Sequence, residues 1–255
     1  MNKIAREYKE KGFVIVRGVY SKTKSKRILK KIKSLNVDNY ENSKEKNGYP
    51  FRITNISKNN PELLSLCNDK KIVKILEKCL GDKIQYFKDK FVSKQKGGRV
   101  FVPHIDGAFR TYNYRLKKKT NGWFIYAKKF IHLQILLSKN TKKNGCLNIC
   151  KLESEDPIYY QKKYFKTKWS KVSSEFPKQF HKKFYKSGKP FTGKAGDVLI
   201  FNPLCPHFSF TNKTNSKRNT FLITFNGKSY GDNYKLSNYD KKLVVEKKKS
   251  FVDKQ

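Results

Sequence analysis

The chain has 255 residues, 37% of them hydrophobic and 14% aromatic, with a mean hydropathy of −0.78. That is enough apolar side chain for a folded core and excludes a disordered polyelectrolyte. No apolar run approaches the length of a membrane-spanning helix. The formal net charge of +39 comes from fifty-one lysines and only eight arginines, spread along the whole chain. Nucleic-acid readers cluster their charge and favour arginine for bidentate contacts, so the surplus reads as compositional, in step with the abundance of Asn, Ile, Phe and Tyr. Five cysteines, an odd number without a C-x-x-C pair, exclude a disulfide framework. The start, MNKIAREYKEKGF, lacks the apolar run of a signal peptide, and a soluble, reduced, cytoplasmic protein is expected.

In chain order, residues 12–20 (GFVIVRGVY) read as a short apolar strand closed by Gly18. Residues 23–35 follow as a helix, with Ile28, Leu29, Ile32 and Leu35 at helical spacing. Residues 38–60 are polar and rich in Asn, Ser and Lys, and read as a loop. Pro61 then opens a helical segment that runs to Leu80 and stops at Gly81. From Lys83 the pattern shortens to seven or so strands: IQYFKDKFVSKQ, RVFVPHID, FIYAKKFIHLQILLS, CLNIC, DVLIF, HFSF and TFLITF. Residues 157–188 carry Tyr, Phe, Trp169 and many lysines without a period, and read as an insertion or lid of mixed structure at the mouth of a pocket. From Lys241 the end reads as a charged, frayed tail. The expected organisation is one domain: a helical part at 1–82, a β-rich core at 83–226 with the insertion 157–188, and a tail at 227–255. The fold class is mainly β with flanking helices, α+β.

Only four histidines occur, at 104, 132, 181 and 207, and one lies in PHID. Residues two apart on a strand share a face, so His104 and Asp106 can present an imidazole and a carboxylate to one point. Far downstream, GDVLIFNPLCPHFSF brings His207 to the start of another strand. Two imidazoles and one carboxylate make a facial triad for iron(II), leaving three positions open for a bidentate co-substrate and oxygen. Alone, H-x-D is a weak signal, since a strand histidine is more often structural. Arg218 strengthens it: it follows His207 by eleven residues across the polar turn TNKTNSK, which folds the chain back as a hairpin. A dicarboxylate chelating iron through its 2-oxo-acid end needs a cation for its far carboxylate, and arginine supplies a planar fork of permanent charge.

In these segments the chain resembles the phytanoyl-CoA dioxygenase family of iron(II) and 2-oxoglutarate oxygenases. The likeness runs from GFVIVRGV through FKDKFVSKQKGG, VPHID and NGCL to AGDVLIFNPLCPHFSFTNKTNSKRNTFLITFN. Ser209, Asn212, Thr214 and Arg218 fall at the family's offsets from the distal His207. The resemblance implies a double-stranded β-helix core, jelly-roll and cupin-like. It implies Fe2+ on His104, Asp106 and His207, with O2 and 2-oxoglutarate as co-substrates. Arg218 would bind the distal carboxylate of 2-oxoglutarate, assisted by Lys94, Thr214 or Ser216. Related halogenases lack the carboxylate that Asp106 provides, so hydroxylation is implied. KQKGGRVFVPHID and GDNYKLSNYDKK are most similar to bacterial hydroxylases of aminophosphonates, which implies a small anionic or zwitterionic substrate. Two departures stand out. Ile105 replaces the usual Gln between the triad His and Asp, at a position pointing away from the metal. CKLESEDP replaces the Pro-Gly-Ser-His stretch expected after NGCL, which implies a reshaped pocket rim.

The remaining features have plainer readings beside functional ones. His132, in FIHLQILL, reads as a core or hydrogen-bonded residue, and His181 as a surface residue of the insertion. Cys205 is a candidate soft wall of the cavity. Trp123, Tyr126 and Trp169 are either pocket lining or core. Arg110 and Arg115 are either solvated loop charges or an anion site. Two other functions compete with a small-molecule hydroxylase. One is an oxygenase of the same fold whose lysine-rich exterior docks nucleic acid or protein, and the other is a metal-binding barrel without catalysis. A full donor set together with Arg218 argues against the last.

Overall fold

A computed structural model describes residues 3–165 and 174–252 of the chain; Trp169 and the middle of the insertion lie outside the described residues. The chain opens with α1 (Lys3–Lys11), a helix absent from the sequence reading, which buries only Ala5 and Tyr8. Gly12 ends it at φ +79°, where a Cβ would stand 2.3 Å from Leu152 Cβ, so the turn into β1 (Phe13–Val16) requires glycine. α2 (Lys22–Lys33) starts on Ser21, whose side chain accepts the Lys24 N–H at 3.0 Å.

The expected loop at 38–60 is corrected by the structure: it contains β2 (Asn42–Lys44) and β3 (Pro50–Thr54), which extend the main sheet at its edge. An edge strand with one open side keeps polar residues, which hid its alternation. The helical stretch after it is broken into α3 (Pro61–Leu64) and α4 (Lys70–Leu80), because Asp69 turns out of the helix and caps the second piece. Then follow β4 (Ile84–Lys94), β5 (Phe101–His104), a polar hairpin of β6 (Arg110–Asn113) and β7 (Lys118–Asn121), β8 (Phe130–Leu136) and β9 (Asn148–Ile149). The insertion supplies α5 (Pro157–Tyr160) and α6 (Lys178–Ser187). The chain continues through β10 (Lys189–Pro190), β11 (Val198–Phe201), β12 (His207–Ser209), β13 (Arg218–Gly227) and α7 (Tyr234–Val252). The tail expected from Lys241 continues α7 as helix to Val252, and just ahead of it the Asp240 carboxylate accepts from Asn113 Nδ2 (2.7 Å), Arg115 Nε (2.8 Å) and the Tyr126 hydroxyl (2.8 Å).

Two antiparallel sheets make a double-stranded β-helix. The larger runs in the order β1-β11-β8-β13-β4-β3-β2 and the smaller in the order β10-β9-β12-β5. The core is therefore not confined to residues 83–226, since three strands of the larger sheet come from the segment expected to be helical. Alternation sorts the side chains. Phe221, Ile223 and Phe225 on β13, with Leu133 and Ile135 on β8, pack outward against Ile28, Ile32, Ile72 and Leu76 of the helices. The opposite faces of these strands, with Arg218, Thr220, Leu222 and Thr224 on β13 and His132, Gln134 and Leu136 on β8, look toward the smaller sheet. The described parts of the insertion cover the back of the smaller sheet, where Tyr160, Tyr164, Phe176 and Phe184 pack on Ile105 and Phe208. Among the described residues, no helix is long and apolar enough to cross a membrane.

Candidate metal centre

His207 stands directly opposite His104 in the β12–β5 pairing, with the ring centroids 4.1 Å apart. Asp106 lies two residues past His104, just beyond the strand end, held there by its backbone N–H donating to Pro203 O at 2.8 Å. One donor atom from each of His104, Asp106 and His207 falls within 4.8 Å of the others. Ile105 between them turns the other way and is fully buried in the cluster behind the sheet, as its strand position requires.

Both imidazoles are oriented by main-chain carbonyls. His104 Nδ1 lies 2.7 Å from Val102 O and His207 Nδ1 lies 2.9 Å from Cys205 O. Each Nδ1–H therefore donates to a carbonyl and each Nε2 lone pair is left for a metal. Burial pushes both imidazoles toward the neutral form that can ligate. His207, with His104 beside it, falls to about 3, and His104 falls below its usual value. The Asp106 carboxyl sits well below the carboxylate range: burial works to raise it, and Lys90, His132 and His207 more than offset that. Two neutral imidazoles and an ionised carboxylate converging on one point fit a divalent iron site with open positions.

His132 supports this centre from behind. Fully buried, it donates from Nε2 to Asp106 Oδ2 (3.1 Å) and accepts at Nδ1 from the Thr224 hydroxyl (2.9 Å). The reading of His132 as a buried, hydrogen-bonded residue holds, with the metal-ligating carboxylate as its partner. Lys90 Nζ also reaches Asp106 Oδ2, at 3.4 Å. Sequence reasoning missed Lys90, and only its inward parity on β4 could have marked it among so many lysines.

Arg218 is 3% exposed, faces inward, and lies opposite Lys94 in the β13–β4 register. Its Nη1 donates to Gly145 O (2.8 Å), while its Nε has no partner. Burial lowers it to about 10. Lys94 Nζ donates to Ser209 Oγ and Phe210 O, both at 2.8 Å, and burial with Arg218 beside it brings its pKa down to about 6. Thr220 Oγ1 and Gln134 Oε1, on the same inner face, are buried without partners as well. A buried guanidinium with a free N–H and no carboxylate is suited to a carboxylate ligand.

The hydroxyls of Thr214 and Ser216 do not join this cluster. Thr214 Oγ1 donates to Asn212 Oδ1 at 2.9 Å, and Ser216 is exposed, its main-chain carbonyl accepting from Asn212 Nδ2 at 2.8 Å, so Asn212 organises the turn that carries both. Cys205 directs its thiol to Gly12 O, away from the triad. Arg115 is taken up by Asp240 and Arg110 is exposed. Tyr126 also serves Asp240, whereas Trp123 stands edge-on to His132, ring centroids 5.9 Å apart.

A double-stranded β-helix with two histidines and an aspartate at its centre defines the class of metal-binding oxygenase folds. Residues 8–220 match the phytanoyl-CoA dioxygenase (PhyH) model, and the chain belongs to that family. It is 25% identical over 168 residues to the 2-aminoethylphosphonate dioxygenase of uncultured bacterium HF130_AEPn_1, covering 66% of this chain and 55% of the relative. It is also 25% identical over 151 residues to dioxygenase lolE1 of Epichloe uncinata, covering 59% and 49%. The chain thus spans about half the length of the curated relatives it matches. The structure of EctD from S. alaskensis with 2-oxoglutarate and 5-hydroxyectoine superposes with a TM-score of 0.63 at 17% identity, over 89% of this chain and 76% of that one. At that identity the likeness speaks for the fold.

Proposed function

We propose that this protein is an iron(II)- and 2-oxoglutarate-dependent dioxygenase that hydroxylates a small organic molecule, forming succinate and CO2. The observation that carries this reading is the convergence of His104, Asp106 and His207 within 4.8 Å, on the same inner surface as a buried Arg218 whose Nε is unpartnered. Iron with 2-oxoglutarate supplies oxygen activation coupled to oxidative decarboxylation of the co-substrate. The chain's own residues do the rest. Arg218 takes the distal carboxylate and so orients the 2-oxo-acid end toward the triad. Val102 and Cys205 carbonyls fix the two imidazoles, and His132 keeps Asp106 ionised and aimed. Phe201, whose ring lies 5.4 Å from that of His207 and packs with Leu199 and Leu222, gives the centre an apolar side that disfavours water. A small aminophosphonate-type zwitterion as substrate is supported by the likeness to the 2-aminoethylphosphonate dioxygenase.

The test is an anaerobic titration with iron(II) and then 2-oxoglutarate, following the visible charge-transfer band of the complex. A saturable band in the wild type that is absent in His104→Ala is expected. Folded wild-type protein that gives no band removes the reading.

A further inference from the structure

The inner face of β4 carries a lysine at three of four successive inward positions, Lys88, Lys90 and Lys94, with Val92 between the last two. Lys88 and Lys94 lie about 20 Å apart along the strand. Lys94 shares its end with Arg218, where the co-substrate belongs. Lys90 reaches Asp106, and Lys88 lies beyond it, opposite Thr224.

Lys88 is unusual. Its Nζ faces rings, 3.4 Å from the Trp123 ring centroid and 5.7 Å from that of Phe87, and that nitrogen has no hydrogen bond or ion pair among the described residues. Burial, and secondarily Lys90, hold its ammonium well below the usual lysine range. The acidic groups that feel it are Asp106 and Glu41. Asp106 belongs to the metal centre, and Glu41 is already engaged by Lys241 and by Thr54 Oγ1 at 3.0 Å. An aromatic face compensates only part of the lost hydration of an ammonium, so this position lacks a counter-charge.

A charge count defines the missing partner. A divalent metal, the Asp106 carboxylate and the chelating carboxylate of 2-oxoglutarate sum to zero, and Arg218 matches the distal carboxylate. Lys88 and Lys90 remain unmatched in this count, and an anion brought against Lys88 would favour the protonated form that burial opposes, giving two positive charges to balance. A carboxylate or sulfonate balances one of them. A phosphate monoester, whose second ionisation lies at about 6, or a phosphonate in its dianionic form balances both.

We propose that Lys88 and Lys90 form a head-group site for a doubly charged phospho-oxyanion, so that the substrate is an organophosphonate or phosphate monoester held by that head with its reacting carbon toward the metal. The proposal rests on the dioxygenase reading and names the substrate class of that site.

The test uses the anaerobic iron(II)–2-oxoglutarate complex and reads the perturbation of its charge-transfer band by three probes: 2-aminoethylphosphonate, methylphosphonate, and taurine, the singly charged sulfonate of the same shape as the first. In the wild type, 2-aminoethylphosphonate is expected to act at a concentration at least about tenfold lower than taurine. Lys88→Met should abolish that preference while 2-oxoglutarate saturates the band as before, and Lys88→Arg should restore part of it. A formed band that neither phosphonate moves, that taurine moves equally well, or whose phosphonate response survives Lys88→Met overturns the head-group site alone. No band in folded wild-type protein overturns the dioxygenase reading and this proposal with it.

Discussion

Replacing Arg218 by Met separates a ligand-binding arginine from a structural one. In the free protein Arg218 is 3% exposed and, among the described residues, its side chain makes one hydrogen bond, to Gly145 O, and leaves Nε unpartnered. Its fall from 12.5 to about 10 corresponds to about 3 kcal/mol of disfavoured charge. Against that stands about 1 kcal/mol from the single hydrogen bond. Met fills much of the same volume, so the free variant should melt at the wild-type temperature or above it. Binding of 2-oxoglutarate should change in the opposite sense. Loss of two charge-assisted hydrogen bonds to a carboxylate costs about 3–5 kcal/mol, a weakening of about a hundredfold to several thousandfold. At a concentration one hundred times its Kd, 2-oxoglutarate stabilises wild-type protein by about 2.7 kcal/mol, or about 5–10 °C for a chain of this size. The variant should show a shift of no more than about 1–2 °C at that concentration, while its iron(II) affinity stays within about threefold of wild type. Differential scanning fluorimetry with and without 2-oxoglutarate, beside the anaerobic titration, measures all three quantities. A free variant that loses several degrees yet keeps the full 2-oxoglutarate shift would refute the assignment.

His104→Ala and Asp106→Ala should each lose iron(II) binding and turnover while keeping the far-ultraviolet circular dichroism of the wild type; near wild-type turnover in either contradicts the triad. His132→Phe removes the N–H that holds Asp106, and should weaken iron(II) binding by about 10- to 100-fold with all three ligands still present. An unchanged metal titration would reduce His132 to a packing residue. Glu153 accepts from Tyr164 Oη, Lys163 Nζ and Lys183 Nζ. Burial opposes its ionisation, and these donors more than offset that, lowering it from 4.5 to about 2. Because the folded value lies below the unfolded one, its contribution is present above about pH 4.5 and is lost as pH falls toward 2. Glu153→Gln should therefore cost about 1–2 kcal/mol at pH 7, discounted for the half-exposed lysines, and close to nothing at pH 2. Equal stability differences at both pH values, in parallel melts, would remove the charge from the explanation.

The triad was legible because its signals are local: PHID alternates on a strand, and the apolar run before His207 marks another. Arg218 was legible because one polar turn of fixed length joins it to His207. Other elements depend on distant partners. α1 buries two side chains, too few for a visible period. β3 is held by β4 at the sheet edge, and α7 by Asp240 reaching Asn113, Arg115 and Tyr126. Thr214 has the right chemistry for a carboxylate, but Asn212 holds its hydroxyl in the turn and bonds the Ser216 main-chain carbonyl. The support of Asp106 by His132 and Lys90 needed the register of three strands.

The lysine surplus also bears differently on the two sides of the sheet. Compositional pressure adds lysine where water solvates it; it does not place one at 2% exposure, as at Lys94, because a desolvated ammonium is costly without a partner. On β4 the inward positions 88, 90 and 94 are all lysine, while the outward ones are Asp89, Phe91 and Ser93. Asp89 fixes that assignment: its carboxylate accepts the N–H groups of Ile56 (2.9 Å) and Ser57 (3.0 Å) and the Tyr86 hydroxyl (2.7 Å), tying the β3–α3 connection to the strand. A slip of one residue would drive the lysines into the helix-covered core and Asp89 toward the metal, breaking both at once. The register of this strand, set on its structural face, is therefore what delivers three lysines to the chemical face.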